Sequence, residues 1–381
     1  MAATDQRIPV WLDCDPGHDD AFAILLAAYH PAIRLLGIST VFGNASLDKT
    51  SHNACSILTA IGKAHDIPVY MGAAHALGRP PMHAPTDIHG ESGLDGTALL
   101  PVPAVPPRAS PPAVAAAAAA LAAAPPGTAW VVATGAFTNV AGLFAAHPAL
   151  AAHVRGLALM GGALGGAFTP AVLGAVAGLP RLGNRTPFAE FNVLADPEAA
   201  ARLFAHPQLA PKTTLVPLDL THLVLATAEV RALLLYGPEG PREGPGKSTL
   251  RIMLVELLMF FAKTYAEVFG ITPGPPLHDP LALAAVLTGL GNEHEIPFYD
   301  FDPTAGPDAA RRERYEVTVV TEGSYDEAMA GAQTGQTTAK LLPPGQEGVR
   351  IPRGLDIPLF WKVLEQCVAR ADAANASISL N

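Results

Sequence analysis

The feature that most constrains this 381-residue chain is an acidic turn close to its start. An apolar run from Val10 to Leu12 enters the turn, and an apolar helical pattern leaves it from Ala21 onward. Pro16-Gly17 marks the turn itself, so the pattern predicts a strand, a turn and a helix. Four carboxylates fall within eight residues of this stretch, and they belong to Asp13, Asp15, Asp19 and Asp20.

Repulsion among these four carboxylates has to be relieved. Asp13 and Asp15 are two residues apart on a strand, so both project from the same face. Asp19 and Asp20 fall where the helix begins, and the positive end of a helix dipole favours negative charge. One or two such residues would be ordinary helix caps, but capping does not use four. The crowding predicts a site for a hard divalent cation held by oxygen ligands.

Composition narrows the class of protein. Half of the residues are hydrophobic and 15% are charged, which is typical of a globular chain with a large core. The formal net charge of -10 argues against a nucleic-acid partner. The three cysteines are too widely spaced for a metal motif or a disulfide framework. With no evident signal peptide or membrane span, we expect a cytoplasmic protein without a membrane partner.

Strand and helix patterns alternate along most of the chain. This alternation predicts an α/β fold, an open and mostly parallel twisted sheet with helices on both faces. We expect one domain over residues 1–381, with its core at about 8–370. The apolar pattern from Ile252 to Phe269 predicts one long amphipathic helix. Segments 163–183, 237–248 and 300–312 are predicted insertions, the first of them a mobile loop.

Polar residues follow the predicted strands, and the carboxyl ends of strands form the ligand site of an open parallel sheet. The residues in these positions are Asp13, Asp15, Asn44, Thr134, Met160 and Asp219, together with His278-Asp279 ahead of a helix. Oxygen donors recur here and thiols do not, which favours Ca²⁺ or Mg²⁺. A second polar cluster, from Asn184 to Asn192, offers amides and a carboxylate suited to vicinal sugar hydroxyls.

The stretch from Asp13 to Asp20 resembles the N-terminal signature of the nucleoside hydrolase family, the inosine/uridine-preferring N-ribohydrolases. Further blocks resemble family motifs in the family's order, namely Val41–Asn44, His89–Gly93, Thr134–Asn139, Leu159–Gly162, Glu190–Asn192, Asp196–Ala199, Leu218–His222 and His278–Pro280. The resemblance covers residues 8 to 370. Around Gly274–Pro280 it is nearest to the fungal and plant uridine-type members.

The resemblance implies calcium-dependent hydrolysis of the N-glycosidic bond of ribonucleosides, through an oxocarbenium-like transition state, in nucleoside salvage or catabolism. It implies a homodimer or homotetramer. Its implied Ca²⁺ ligands are Asp15, Asp20, the Thr134 carbonyl and Asp279. Asp15 would also be the general base, and His278 would give a proton to the leaving base. The implied substrate contacts are Asp19 and Asn192 at the ribose hydroxyls, Met160, Asn184 and Glu190 on the 5′ side, Asn44 in support, and His89 and Tyr265 near the base.

Two other functions remain open on the residues alone. Asp13-Cys14-Asp15 after an apolar strand also resembles the start of haloacid-dehalogenase-type phosphatases, which use Mg²⁺. That alternative gives no role to Asn184–Asn192 or to His278-Asp279. The second alternative is a non-catalytic ribonucleoside-binding protein on the same fold.

The aromatic residues ahead of His278 have two possible places. Phe260, Phe261, Tyr265 and Phe269 recur at helical spacing, which fits a buried core as well as a base pocket. His89 is similarly open, since it could contact the base or cap its own loop. His18 is expected to face away from the metal.

Overall fold

The computed structural model describes residues 6–82, 84, 86–176, 179–239, 243–301 and 312–378. The strands in these residues are β1 (Ile8–Cys14), β2 (Ile33–Thr40), β3 (Val69–Met71), β4 (Trp130–Ala133), β5 (Gly156–Met160), β6 (Ala175–Val176), β7 (Leu179–Pro180), β8 (Thr213–Val216), β9 (Phe298–Tyr299), β10 (Tyr315–Val319), β11 (Thr337–Leu341) and β12 (Gly354–Leu355).

The helices follow the strands in alternation over much of the chain. They are α1 (Asp20–Tyr29), α2 (Leu47–Ala60), α3 (Thr86–His89), α4 (Ala113–Ala122), α5 (Thr138–Ala146), α6 (Leu150–His153), α7 (Phe191–Ala195), α8 (Pro197–Phe204), α9 (Leu218–Thr221), α10 (Ala228–Tyr236), α11 (Thr249–Phe260), α12 (Ala262–Phe269), α13 (Asp279–Ala285), α14 (Tyr325–Met329) and α15 (Ile357–Ile378). Within the described part of the chain, none is long and apolar enough to cross a membrane.

Six strands form one parallel sheet in the order β3-β2-β1-β4-β5-β8. From β1 the chain first adds strands on one side, and from β4 onward it adds them on the other. The strand order therefore reverses between β1 and β4, where open α/β sheets bind their ligands. The predicted mostly parallel sheet is confirmed, and its switch point lies at the acidic turn.

Two cores cover the two faces of the sheet, because alternate residues of β1 point to opposite sides. Leu12 and Cys14 belong to a core shared with α1, α2, α11, α13 and α15. Trp11 belongs to the other core, shared with α4, α5 and α8. The predicted helices on both faces are thus confirmed, and Cys14 is buried as an apolar residue.

The predicted long helix from Ile252 to Phe269 is wrong in one respect. The structure has two helices, α11 and α12, which meet at Phe261. Neither Pro nor Gly marks this junction, and both helices bury the same side of the chain, so the apolar periodicity continues through it. Phe261, at the junction, and Tyr265, in α12, line the same cavity.

Asp219 was expected among the acids at the strand ends, and that expectation is wrong. β8 ends at Val216, and Asp219 lies within the short helix α9. Its carboxylate accepts the backbone N–H groups of Leu164 and Gly165, both at 2.8 Å. Asp219 therefore anchors the segment 163–183, which was predicted to be a mobile insertion and here contributes the hairpin β6-β7. The other predicted insertions, 237–248 and 300–312, lie partly outside the described residues.

A buried arginine joins α11 to the last helix. The Arg251 guanidinium donates to Glu365 at 2.8 Å, to Asp372 at 2.6 Å and to the Leu234 carbonyl at 2.6 Å. Its side chain is completely buried. This charge is acceptable in the interior because both carboxylates and a carbonyl satisfy it.

Arg251→Met should lower the free energy of unfolding by about 3–5 kcal/mol, because it leaves the Glu365 carboxylate buried without its partner. The matched control is Lys263→Met, which removes an exposed ion pair with Glu267 at 3.9 Å and should change stability little. Urea denaturation followed by circular dichroism measures both. Equal midpoints for the two variants would contradict the structural role of Arg251.

Candidate functional site

Three carboxylates from opposite ends of the chain meet at the switch point. Oxygens of Asp19, Asp20 and Asp279 lie within 4.8 Å of one another, and all three residues are buried. Asp20 begins α1 and Asp279 begins α13, and these two helices pack together. The Asp279 N–H donates to the Asp19 carboxylate at 3.4 Å. This is the closest acidic group that the described residues form.

A fourth carboxylate, that of Asp15, lies near this group and interacts electrostatically with Asp20 and Asp19. One oxygen, Oδ2, accepts the Asn44 N–H at 2.8 Å, and the Asn44 amide donates to the Asp15 carbonyl at 3.1 Å. The other oxygen, Oδ1, is buried and has no hydrogen-bond partner among the described residues. A buried carboxylate oxygen without a partner is costly, so Oδ1 is available to a cation or a water molecule.

Two glycines leave the space that the Asp15 carboxylate occupies. Gly43 and Gly135 both approach its carboxylate so closely that a side chain on either would collide with it. At Gly135 a Cβ atom would lie 2.6 Å from Oδ1 and 2.9 Å from Val41. The glycines that follow β2 and β4 are therefore part of how the site is built.

Neighbouring residues orient the remaining acids. Asp20 accepts the Gly17 N–H at 2.9 Å and the Thr134 hydroxyl at 2.8 Å. Asp13 accepts hydrogen bonds from Ser39 and, at 2.8 Å, from the Asn139 amide. Asp13 does not line the cleft described below.

Burial dominates the electrostatics of these acids. It raises the pKa of Asp20 to about 7, with a smaller contribution from the charge of Asp19. Burial first, and neighbouring carboxylates second, also raise the pKa values of Asp15 and Asp279. A cation among them would favour the charged forms and reverse these shifts. The donors are all oxygens, so the residues fit a hard divalent ion.

One cleft of about 650 Å³ contains the predicted substrate residues. Its lining includes Asp19, Asn44, His89, Thr134, Met160, Asn184, Glu190, Asn192, Tyr265, His278 and Asp279. Asp15 and Asp20 are completely buried beneath it. The structure thus brings together the residues that the resemblance implied for the metal, the sugar and the base.

A polar wall on one side of the cleft is built at the start of α7. Glu190 caps this helix, accepting N–H groups of Asn192 at 2.8 Å and Val193 at 3.0 Å. The Asn192 amide donates to the carbonyls of Thr134 at 2.9 Å and Met160 at 3.1 Å. These bonds fix Asn192 at the ends of β4 and β5.

The opposite side of the cleft is aromatic. The His278 ring lies between two hydroxyls, with Nδ1 2.7 Å from Thr221 and Nε2 2.7 Å from Tyr265. The Tyr265 and Phe269 rings stack with centroids 4.9 Å apart. Burial lowers the pKa of His278 to about 3, so its imidazole is neutral at neutral pH. Of the four aromatic candidates, Phe260 alone does not line the cleft.

Both ring nitrogens of His18 lie near atoms outside the acidic group. Its Nε2 lies 2.7 Å from the Asp95 carbonyl, and its Nδ1 lies 3.1 Å from Nδ1 of His89. The ring also stacks on Phe260, with centroids 4.9 Å apart. His18 therefore supports His89, the last residue of α3, which lines the cleft.

Some lining residues were not foreseen. Ile88, Arg185, Phe191 and Thr264 also face the cleft. Arg185 lies within the polar cluster from Asn184 to Asn192, but no sequence pattern there indicates that a basic residue faces a sugar site. Thr264 required knowledge of the junction between α11 and α12.

The family model described as "Inosine-uridine preferring nucleoside hydrolase" matches residues 10–362. The chain belongs to the nucleoside hydrolase family. A uridine nucleosidase of Saccharomyces cerevisiae is 40% identical over 97% of this chain and 98% of the yeast protein. A pyrimidine-specific ribonucleoside hydrolase, RihB of Shigella sonnei, is 32% identical over 95% and 97% of the two chains. A solved plant nucleoside hydrolase has a TM-score of 0.71 at 24% identity, over 95% of this chain and 98% of that one, which supports the fold.

Family membership decides between the functions left open by the sequence. This nucleoside hydrolase is an enzyme, a ribonucleoside N-ribohydrolase, as the resemblance implied. The alternative of a haloacid-dehalogenase-type phosphatase is wrong.

Gly135→Ala in this nucleoside hydrolase should lower the rate of ribose release by about 100-fold or more, because the added methyl displaces the Asp15 carboxylate. Gly142→Ala is the matched control, since its Cβ meets only Val114 at 3.8 Å. Both variants should keep the far-ultraviolet circular dichroism of the parent. Undiminished activity in Gly135→Ala would show that the position of Asp15 is not critical.

Proposed function

We propose that this nucleoside hydrolase cleaves the N-glycosidic bond of ribonucleosides with Ca²⁺ as cofactor, in nucleoside salvage or catabolism, and that uridine is among its substrates. Ribose and a free base would be the products. The observation that carries the proposal is that acids, amides and the hydrogen-bonded pair of Tyr265 and His278 line one cleft.

The proposed Ca²⁺ ligands are Asp15, Asp20, Asp279 and the main-chain carbonyl of Thr134. The unpartnered Oδ1 of Asp15 and the close carboxylates of Asp20 and Asp279 support this set. The Thr134 carbonyl accepts one bond from Asn192 and keeps a second lone pair for an ion. When bound, the ion would supply positive charge that keeps the carboxylates ionised and acidifies the attacking water.

Asp15 is the proposed general base. Its Oδ2 is held by the Asn44 N–H, which fixes the orientation of the carboxylate. The oriented carboxylate would take the proton from the attacking water.

The sugar is proposed to lie against the polar wall. Asp19 and Asn192 would bind the 2′- and 3′-hydroxyls, and Met160, Asn184 and Glu190 would contact the 5′ side. The acidic surroundings favour the positive charge that develops on the ribosyl group as the C–N bond breaks. Asn44 supports this arrangement through its two bonds to Asp15.

The base is proposed to lie on the aromatic side, near His89, Tyr265 and His278. As the bond breaks, its electron pair moves to the base. The His278–Tyr265 pair would meet that charge with a hydrogen bond and, as the base departs, a proton.

Uridine is proposed because of the relatives. The yeast protein that is similar over almost its full length is named a uridine nucleosidase, and two bacterial relatives, RihA and RihB, are named pyrimidine-specific. We further propose a homodimer or homotetramer in the cytoplasm. The free, buried state of Cys14, Cys55 and Cys367 is compatible with a reducing compartment.

The direct test is a panel of uridine, cytidine, inosine, adenosine and guanosine, assayed for reducing sugar. We expect ribose from uridine, loss of activity after treatment with a chelator, and recovery with Ca²⁺. Recovery with Mg²⁺ or Mn²⁺ alone would contradict the assignment of the metal. Tight binding of uridine without release of ribose would contradict uridine as a substrate.

Asp15→Asn should lower turnover by about 1,000-fold or more, because it removes both the base and a negative charge beneath the cleft. The control is Asp48→Asn, which changes an exposed carboxylate in the first turn of α2 and should leave the rate unchanged. Single-turnover assays at saturating uridine measure the effect. A comparable rate in Asp15→Asn would exclude Asp15 as the base.

A further inference from the structure

Two arginines, Arg181 and Arg185, flank Asn184, which is proposed to contact the 5′ side of the ribose. Arg185 lines the cleft, and it is the single lysine or arginine among the lining residues that the structure describes. Arg181 lies close enough to interact electrostatically with Arg185 and with Tyr265, another lining residue. The proposed hydrolysis of an uncharged nucleoside gives neither guanidinium a task.

Tyr325 orients the guanidinium of Arg185. The Tyr325 hydroxyl oxygen accepts hydrogen bonds from Nε at 2.9 Å and from Nη2 at 2.6 Å. Tyr325 is the first residue of α14, where Ser324 and Glu327 form a capping box that fixes the start of the helix. A phenol accepts these bonds without adding a negative charge, so it holds the guanidinium in place and leaves its positive charge uncancelled by this contact.

Uncharged groups hold the guanidinium of Arg181. Its Nε donates to the Gly183 carbonyl at 2.5 Å, and its Nη2 donates to the Asn184 carbonyl at 2.9 Å. The guanidinium also lies over the Phe269 ring, 4.9 Å from the centroid. In the described part of the chain this side chain forms no ion pair. Burial lowers the pKa of Arg181, and the charge of Arg185 lowers it too, so an anion nearby would relieve both effects.

The carboxylate on the same side of the cleft does not exclude an anion. Glu190 accepts N–H groups of Gly162 at 2.8 Å, Asn192 at 2.8 Å and Val193 at 3.0 Å. Three donors on two oxygens compensate its negative charge within the polar wall itself.

We propose that Arg185 and Arg181 form a phosphate subsite, and that ribonucleoside 5′-monophosphates bind in the cleft with their phosphate on these two guanidinium groups. This inference rests on the proposed function, which places the 5′ side of the ribose at Asn184 and Glu190. A phosphate on the 5′ carbon extends from that side of the sugar toward the residues that flank Asn184.

The chemistry of a phosphate monoester fits this pair. It carries about two negative charges at pH 7 and offers three acceptor oxygens, and arginine binds such a group through parallel N–H donors. A nucleotide held in this way occupies the same cleft as uridine. It therefore slows the hydrolysis of uridine by competition, which would restrain the enzyme wherever nucleotides are abundant.

Competition with uridine tests the phosphate subsite. With the Ca²⁺-loaded enzyme, we expect uridine 5′-monophosphate to be a competitive inhibitor with a Ki below the KM for uridine, because it adds two guanidinium contacts. Arg185→Gln should raise the ratio of this Ki to the KM by about tenfold or more. The matched control is Arg155→Gln, which removes an exposed guanidinium outside the cleft and should leave the ratio unchanged. A Ki above the KM, or the same ratio in both variants, would overturn the proposal.

Inorganic phosphate and Tyr325→Phe refine the assignment. Inorganic phosphate should compete at least about tenfold more weakly than the nucleotide, because it lacks the sugar and base contacts. Equal competition by the two would overturn the assignment to nucleotides. Tyr325→Phe removes the acceptor that orients Arg185 and should raise the same ratio of Ki to KM. It takes the place of Arg185→Gln if that variant does not fold.

Thermal unfolding separates this inference from the proposed function. If uridine yields no ribose, the proposed function fails and the competition assay is lost with it. Uridine 5′-monophosphate should still raise the Tm of the parent more than that of Arg185→Gln, because a ligand of the folded state stabilises it by mass action. Equal shifts in the two proteins would overturn the phosphate subsite whatever the activity.

Discussion

Mutual repulsion among buried carboxylates is the constraint on which this structure depends. Asp15, Asp19, Asp20 and Asp279 share a small volume, and burial makes each charge more expensive than it would be in water. Neighbouring N–H groups and a hydroxyl donate hydrogen bonds to these carboxylates, and the arrangement of their oxygens fits a cation. An ion bound among these oxygens would relieve the repulsion and, in the proposed function, would also acidify the attacking water.

The fold brings the two chemical sides of the cleft from different parts of the chain. Asp15 follows β1, Asp20 and Asp279 begin α1 and α13, and Asn192 of α7 donates to the carbonyls of Thr134 and Met160 at the ends of β4 and β5. The aromatic side comes from α12 and the residues just before α13. If the base lies against α12 as proposed, substitutions in α12 would change base preference without altering the acids. The acidic and aromatic sides of the cleft are joined in sequence where Asp279 follows His278.

Much of this site was predictable because its signals are local. Four acids around a Pro-Gly turn, and polar residues after apolar strands, indicate both the sheet edge and the ligand class. The junction at Phe261 was not predictable, because two helices buried on the same side preserve one apolar period. Asp219 was misplaced because a carboxylate after a strand can bind backbone N–H groups as well as a ligand.

The contact between Asp19 and Asp279 joins residues 260 positions apart in sequence. Contacts of such long separation form late in folding, because the intervening chain must first be ordered. The site is therefore absent until α13 has docked against α1, and a chain stopped anywhere before α13 would lack one of its four acids. During refolding, the return of activity would report the completion of the whole fold, whereas helix content would return earlier.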